Sequence, residues 1–228
     1  MSLDNITGGE LYLGLAESYQ IKYLARAIRD FKKTYPYLHY HITSGDTEQV
    51  AEKLDKGLLD FLVLAEQPDS RKYEYLEFPE RDVWGLVLPE NDPLAGKSAV
   101  SVQDLSGLPL FCSEQAWERE IKEWAGSSFA GLALEGSFRL AYNGSIFTRE
   151  GLGYLLTFDH LIDTSKGSGL TFRPLSPALE TKLYIAWKRY QAFTPIAERF
   201  LKQLRLTFSP KSPEPPKKTD KQTKKAGV

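Results

Sequence analysis

The sequence predicts an α/β protein built from two lobes around a hinge and a central cleft. In the first third of the chain, three short apolar runs alternate with two helical patterns, at residues 11–15, 38–43 and 61–64. Short apolar runs separated by helix-length segments are typical of a parallel sheet with helical crossovers. The middle third repeats this scheme. A chain of 228 residues with 42% hydrophobic content is long enough to bury such a core.

The two helices of the first third have clear boundaries. Apolar positions of the first helix recur every three or four residues, with lysine and arginine between them. The helix is predicted to end at Tyr35, because the residue before Pro36 avoids the helical conformation. A second helix is predicted from Asp46-Thr47, where a capping-box pattern begins it, to Gly57. The predicted buried face of the first helix consists of Ile21, Leu24, Ile28, Phe31 and Tyr35.

The later elements are of the same kinds. Two strands, at residues 73–78 and 83–88, are predicted, with the sequence PERD between them. The final strand has the sequence TKLYIAWKRY, and the last helix begins after Thr194, with a proline in its first turn. The remaining predicted elements are a strand at 109–112, a helix at 114–125, a strand at 132–138, a short helix at 143–150 and a strand at 154–157.

The last helix has no sheet of its own, so we expect it to cover the first lobe. The chain then crosses between the lobes twice, near residues 80–82 and near 184–187. Residues 8–81 and 186–207 are predicted to form the first lobe, and 82–185 the second. In such sheets a ligand binds beyond the carboxyl ends of the strands.

Charge is distributed unevenly along the chain. Residues 209–228 hold six lysines against two acidic residues, which leaves the preceding part with a net charge of −5. That acidic part is a poor nucleic-acid surface, and the Lys/Pro-rich segment 208–228 is predicted to be a disordered tail. No run is long enough to span a bilayer, and residues 1–4 lack a secretory leader pattern. A single cysteine, Cys112, excludes an internal disulfide, so we expect a cytoplasmic setting.

Several motifs follow one another in an order typical of a known family. GLAES at the first strand is followed by FKKTYP at the end of the first helix and by LDKGLLD before the third strand. LVLPENDPLAG comes next, with Asp92 where histidine is usual, and then REGLGYLLTFDHLI, with Phe158 or Asp159 in place of the expected proline. Over roughly residues 8–206, this order and spacing resembles the effector-binding domain of LysR-type transcriptional regulators.

The resemblance implies a type 2 periplasmic-binding-protein-like fold, with a small-molecule effector bound between the two lobes. It also implies a homodimer, and DNA contact only through an N-terminal winged helix-turn-helix that this sequence does not contain. No cofactor, no enzymatic activity and no membrane contact are expected. The alternative is a stand-alone solute-binding protein of the same fold, which the missing secretory signal disfavours.

Helix starts at the carboxyl ends of strands provide candidate ligand contacts. Ser18 begins the first helix and matches the family's effector-contacting serine or threonine, and Tyr19 is expected at the cleft mouth. Ser113 begins the main helix of the second lobe, opposite Ser18. Unpaired N–H groups there suit a small carboxylate, although Asp46 and Glu114 favour an amine or an amino acid. The predicted ligand-binding residues are Ser18, Tyr19, Gly45, Thr47, Cys112, Ser113, Asn143 and Thr157.

Catalytic and metal-binding alternatives have less support. Cys112 precedes a helix start, where a thiol pKa falls, but no histidine stands in a base motif. We therefore interpret Cys112 as a buried strand-end residue, with thiol sensing as the alternative. His39 and His41 share a strand face at a metal-binding spacing, without an evident third ligand. GLGYLL lacks the third glycine of a dinucleotide fingerprint and precedes a strand, so we reject that motif.

Overall fold

The computed structural model describes residues 6–45 and 47–208. From residue 209 onward, the predicted tail lies outside the described residues. The strands are β1 Gly8–Leu15, β2 Tyr37–Ser44, β3 Phe61–Leu64, β4 Tyr73–Pro89, β5 Val100–Ser101, β6 Pro109–Cys112, β7 Ala133–Ser137, β8 Tyr154–Phe158, β9 Leu170–Ser176 and β10 Glu180–Lys188. The helices are α1 Ile21–Phe31, α2 Thr47–Asp55, α3 Val102–Leu105, α4 Glu114–Ala116, α5 Lys122–Ala125, α6 Ala141–Arg149 and α7 Pro195–Phe208.

The strands form one long sheet in the order β2-β1-β3-β10-β4-β8-β6-β7, with β9 also paired to β4 and β5 paired to β9. At one end β1 is parallel to β2 and β3, and at the other end β6 is parallel to β7 and β8. Parallel neighbours need crossover connections, and α1 and α2 supply them at the first end. The two long strands between these ends, β4 and β10, pair antiparallel with each other.

The two strands predicted on either side of PERD form a single strand, β4, of 17 residues, so the predicted division into two strands is wrong. The chain does not turn because Arg81, Asp82 and Val83 continue the pairing with β10. The register shifts between Lys182 and Tyr184 of β10, and the extra β4 residues opposite this shift include Pro79. A bulge tolerates a proline, since the N–H that proline lacks is not needed for the ladder there.

The remaining predicted elements occur within a few residues of their predicted positions, with two differences. The main helix of the second lobe is divided into α4 and α5 by a π-helical turn, Trp117–Ile121, which keeps both of those residues buried. Strand β9 was not predicted. It contains Arg173 and Pro174, and it lies next to the second half of β4.

Among the hydrophobic clusters of the described residues, the two largest occupy the two ends of the sheet and are called the first and second cores. The first unites β1, α1 and α7, and the second surrounds β6, β8 and the helix that follows β6. Helix α7 therefore covers the first lobe, as predicted, and its Phe200 ring contacts the rings of Phe31 and Phe61. Within the described residues, no helix is both long and apolar enough to cross a bilayer.

The lobe boundaries 8–81 plus 186–207 and 82–185 stay a prediction. Phe78 of β4 packs in the first core and Trp84 in the second, on either side of the first boundary. On β10, Leu183 and Ile185 pack in the first core, whereas Leu179, just before this strand, packs against the second. This packing favours a second boundary a few residues earlier than the predicted one.

Phe200→Ala should test the packing of α7 on the first core. Because the ring is fully buried, we expect the substitution to lower the free energy of unfolding by about 3–5 kcal/mol. Leu206→Ala is the matched control on the same helix, since Leu206 is 76% exposed, and it should change stability by less than about 0.5 kcal/mol. Urea denaturation followed by tryptophan fluorescence measures both. Equal losses for the two variants would contradict the packing.

Candidate functional site

The segments that follow five strands of the two lobes meet where the lobes face each other. Residues after β1 and β3 lie on the side of the first lobe, and residues after β6, β7 and β8 on the side of the second. Four contacts join them or tie them to the strand between the lobes. The contacting pairs are Glu17 with Ala141, Ser18 with Asp82, Tyr19 with His160, and Glu66 with Arg119. We call this region the cleft.

Ser18 is buried, and its hydroxyl makes two hydrogen bonds. The hydroxyl donates to Asp82 Oδ2 at 2.6 Å and accepts the backbone N–H of Gln20 at 2.9 Å. Helix α1 starts at Ile21, and Gln20 stands at its N-cap without a side-chain capping bond. The prediction that Ser18 caps α1 is therefore wrong. Its hydroxyl closes a local turn two residues ahead, a common alternative for serine, and reaches the strand between the lobes.

Asp82 lies on β4, at the point where the chain passes between the lobes, and is 2% exposed. Burial raises the pKa of its carboxyl to about 6, because the charged form loses its hydration. The hydrogen bond from Ser18 and the nearby charges of Lys22 and His160 act in the opposite direction and limit the rise. A buried carboxyl group with a raised pKa thus lies beside the predicted ligand contact.

Glu17 spans the cleft. Its carboxylate Oε2 accepts the backbone N–H of Ala141, the first residue of α6, at 2.8 Å. Leu140 at the N-cap provides no side-chain bond to α6. The first N–H groups of a helix lack partners within the helix and carry a partial positive charge. A carboxylate of the first lobe therefore serves as the cap of a helix in the second lobe.

Tyr19 and His160 form a second contact across the cleft. Their ring centroids are 4.7 Å apart and their planes are tilted by 42°. His160 has a φ of +65°, a conformation that few residues other than glycine adopt, in the turn after β8. Lys22 Nζ lies 4.5 Å from the centroid of the Tyr19 ring. The Tyr19 ring therefore lies between the His160 imidazole of the second lobe and the Lys22 ammonium group of α1.

A third contact is the ion pair between Glu66, just after β3, and Arg119, in the π-helical turn. The neighbouring Glu120 is half-buried, and burial raises the pKa of its carboxyl. Its Oε2 is buried and accepts no hydrogen bond from the described residues. On this side of the cleft, Glu66 is therefore ion-paired, whereas one carboxyl oxygen of Glu120 has no hydrogen-bond partner among the described residues.

Cys112 is fully buried at the end of β6, as predicted. Burial raises the pKa of its thiol to about 12, and the negative charge of Glu120 adds to the rise. The thiolate is the reactive form of cysteine, and at neutral pH this thiol stays protonated. The geometry disfavours both a nucleophile and a thiol sensor at this position.

The other predicted ligand residues lie at the ends of their elements. Ser113 caps α4, with its hydroxyl accepting the N–H of Ala116 at 3.3 Å. Thr157 is buried on β8, and Asn143 is exposed in the first turn of α6. Gly45 follows β2 and Thr47 begins α2, whose first side chains lie outside the described residues. The structure brings Ser18 and Tyr19 into contact with hinge and second-lobe residues. For all eight residues, a ligand role stays a prediction.

His39 and His41 lie on the exposed strand β2, away from the cleft. His41 Nε2 is 2.6 Å from Glu10 Oε2, and its ring stacks on Tyr12 with centroids 4.7 Å apart. In the described parts of the chain, no group of three or more His, Cys, Asp and Glu side chains is placed to hold a metal ion. A surface groove of about 850 Å³ lies near this strand, bounded by Gly9, Asp60 and the loop after β10.

Sequence reasoning missed Glu17, Asp82 and His160 as cleft residues. Each follows from a signal that was present. Glu17 is the first residue of the polar segment ESY, Asp82 lies in the predicted crossover, and His160 comes two residues after a buried strand ends. Glu17 and His160 would have been found if every polar residue just after a predicted strand had been treated as a candidate cleft residue. Asp82 needed the observation that β4 is continuous.

The fold and the cleft define a two-lobed α/β domain of the binding-protein type with a hinge of two strands. A family model described as the LysR substrate binding domain matches residues 5–209, and the chain belongs to that family. The uncharacterized HTH-type transcriptional regulator YvbU of Bacillus subtilis (strain 168) is 27% identical over 147 residues, 64% of this chain and 49% of that protein. The chain spans half or less of the length of such curated relatives.

Two solved structures illustrate the shared fold. The regulatory domain of Synechocystis PCC6803 CcmR, in complex with 2-PG, has a TM-score of 0.73 at 18% identity, over 89% of this chain and 98% of that one. The effector binding domain of QuiR, in complex with shikimate, has a TM-score of 0.75 at 15% identity, over 88% and 97%. The predicted two-lobed fold class is confirmed.

Asp82→Asn should make the domain more stable at neutral pH. The folded pKa of about 6 exceeds the unfolded value near 3.8, so the folded state binds more protons between these values. Wild-type stability therefore falls as pH rises from about 4 to about 6, by up to about 3 kcal/mol, and stays lower above that range. The variant lacks this loss. Melting temperatures at pH 4 and pH 7.5 measure the difference.

We expect Asp82→Asn to melt several degrees above the wild type at pH 7.5 and close to it at pH 4. Glu118→Gln, which changes an exposed carboxyl of the second lobe, is the control and should follow the wild type at both pH values. Destabilisation by Asp82→Asn at pH 7.5 would show that the ionised carboxyl contributes to folding and would contradict the assignment.

Proposed function

We propose that this chain is the effector-binding regulatory domain of a LysR-type transcriptional regulator in the cytoplasm. A small molecule binds between the lobes and changes how an N-terminal helix-turn-helix, outside the residues of this sequence, meets DNA. The observation that carries the proposal is the convergence of segments after β1, β3, β6, β7 and β8 beside a hinge that consists of two strands. Family membership supports it, as do the relatives that are transcriptional regulators.

The hinge supplies the mechanism. An effector that contacts both lobes favours one angle between them, and it shifts the balance only through its differential affinity for the two geometries. A shift from 1:99 to 99:1 requires about 10⁴-fold preference for the favoured geometry. Contacts on both sides of the cleft can supply such a preference, because they are complete in only one geometry.

The effector is proposed to be a small carboxylate or an amino acid. Ser18, Tyr19, Gly45 and Thr47 would contact it from the first lobe, and Cys112, Ser113, Asn143 and Thr157 from the second. The structure adds an argument about charge, since Glu17, Glu66 and Glu120 surround the same region. Acidic side chains favour an amino group on the ligand over a second carboxylate. The buried, protonated thiol of Cys112 argues against a nucleophile at this position.

We further propose a homodimer, which the family resemblance implies. In that arrangement α1 of one copy runs antiparallel to the helix after β6 of the other. Both ends of the long sheet are open edges, β2 in the first lobe and β7 in the second. Ile42 on β2 is 54% exposed and Leu134 on β7 is 37% exposed. Open edges with exposed apolar side chains invite pairing with another chain, which a dimer of this arrangement would cover.

A thermal-shift screen tests the effector proposal. The purified domain is heated with small carboxylates, amino acids, aromatic acids and sugar phosphates. A ligand at a hundred times its dissociation constant stabilises by about 2.7 kcal/mol, which corresponds to roughly 5–10 °C here. We expect one chemical class to raise the melting temperature by that amount, and Ser18→Ala to remove most of the shift.

The control is Ser106→Ala, because Ser106 is an exposed serine of the second lobe outside the cleft. It should retain the full ligand-induced shift. If a ligand stabilises Ser18→Ala as much as it stabilises Ser106→Ala, the cleft around Ser18 is not the binding site.

Ile42→Asp tests the dimer. A buried, unpaired carboxylate at an apolar interface is costly, so we expect the dimer dissociation constant to rise at least tenfold. Leu206→Asp, at an exposed position of α7, is the control and should leave association unchanged. Sedimentation equilibrium at several protein concentrations measures both. A wild-type protein that is monomeric at every concentration would refute the proposal.

A further inference from the structure

We propose that the chain carries its own interlobe clamp, centred on Glu17. The clamp consists of three contacts: Glu17 with the N–H of Ala141, Tyr19 with His160, and Glu66 with Arg119. In each pair the first residue belongs to the side of β1 and β3, and the second to the side of β6 and β8. The clamp holds the lobes together with side chains of the protein itself, and an effector must enter against it.

The polar segment 17–19 accounts for most of the clamp. Three consecutive residues reach three different places: Glu17 the start of α6, Ser18 the hinge residue Asp82, and Tyr19 the turn that contains His160. Backbone that joins adjacent residues is short, so these three contacts move together. A change in the angle between the lobes must break the two outer contacts or shift the segment as a unit.

Glu17 is the strongest member by its chemistry. The hydrogen bond to Ala141 is charge-assisted, and the carboxylate also faces the positive end of α6, a helix of nine residues without a side-chain cap of its own. The Glu66–Arg119 pair is more exposed and is therefore screened by water and salt. Loss of Glu17 should weaken the clamp more than loss of either other contact.

The clamp also bears on which ligands enter. A carboxylate on the ligand would compete with Glu17 for the N–H of Ala141. An amino group would instead be attracted to the Glu17 carboxylate while the contact between Glu17 and Ala141 remains intact. This step rests on the proposed function, because it assumes that the effector enters the cleft. The contacts themselves do not depend on any effector, so they can be tested without one.

The test measures hydrogen exchange at the Ala141 amide by nuclear magnetic resonance, in the whole 228-residue chain. We expect Glu17→Ala to speed exchange of that amide at least tenfold, because the substitution removes the acceptor that it has across the cleft in the described structure. Acetate at 50 mM should slow the exchange again in Glu17→Ala and have little effect on the wild type. Small-angle scattering should show a larger radius of gyration for Glu17→Ala than for the wild type.

Two further variants keep the result interpretable. Glu17→Gln retains an acceptor oxygen without the charge and should give an intermediate exchange rate. Glu135→Ala removes an exposed carboxylate of β7 and should match the wild type. Equal exchange at Ala141 in wild type, Glu17→Ala and Glu135→Ala would overturn the clamp, and so would an acetate effect of the same size in all three.

The outcomes separate the clamp from the proposed function. Loosening of Ala141 in Glu17→Ala, together with silence in the ligand screen, would support the clamp and count against the effector proposal. A ligand that binds the wild type, together with unchanged exchange in Glu17→Ala, would support the effector site and overturn the clamp.

Discussion

The antiparallel pair of β4 and β10 is the constraint on which the rest of this structure depends. These are the two strands that carry the chain between the cores. Strand β4 contributes residues to both cores, whereas β10 contributes to the first, and Leu179 just before it packs against the second. A hinge that consists of paired strands bends without losing its ladder, because hydrogen bonds between the two strands move with them. The buried bond from Trp84 Nε1 to Thr181 Oγ1, at 2.8 Å, fixes the two strands to each other just beyond the crossing.

The start of α1 is fastened to this hinge at three successive residues of β4. Ser18 binds the Asp82 carboxyl, Gln20 binds the carbonyl of Arg81, and Lys22 pairs with Glu80 at 2.7 Å. Every second side chain from Ser18 to Lys22 thus contacts a successive residue of β4. The cost is a buried carboxyl with a raised pKa, which a domain selected only for stability would not retain. Such groups are typical of functional sites.

The fold could be predicted from the sequence where one physical signal dominates. The apolar period of α1 and the apolar runs of β1 and β3 identified the first lobe, and Thr194-Pro195 identified the start of α7. The predicted division of β4 at PERD shows the limit of local signals. Pro79 and its charged neighbours indicate a turn locally, whereas pairing with β10, a hundred residues later, keeps the strand extended. Tertiary pairing overrides local propensity at such points.

The candidate site was harder to predict for the same reason. Ser18 and Tyr19 were found because they follow a strand, but the partners that give them meaning are distant in sequence: Asp82 by 64 residues, and His160 by still more. Glu17 illustrates the difficulty. Its partner is a backbone N–H, a group that every residue except proline carries. A helix that lacks its own capping side chain, here α6, is a local signal that a residue from elsewhere can complete it. Searching for uncapped helix starts beside predicted strand ends would therefore identify cross-lobe contacts of this kind.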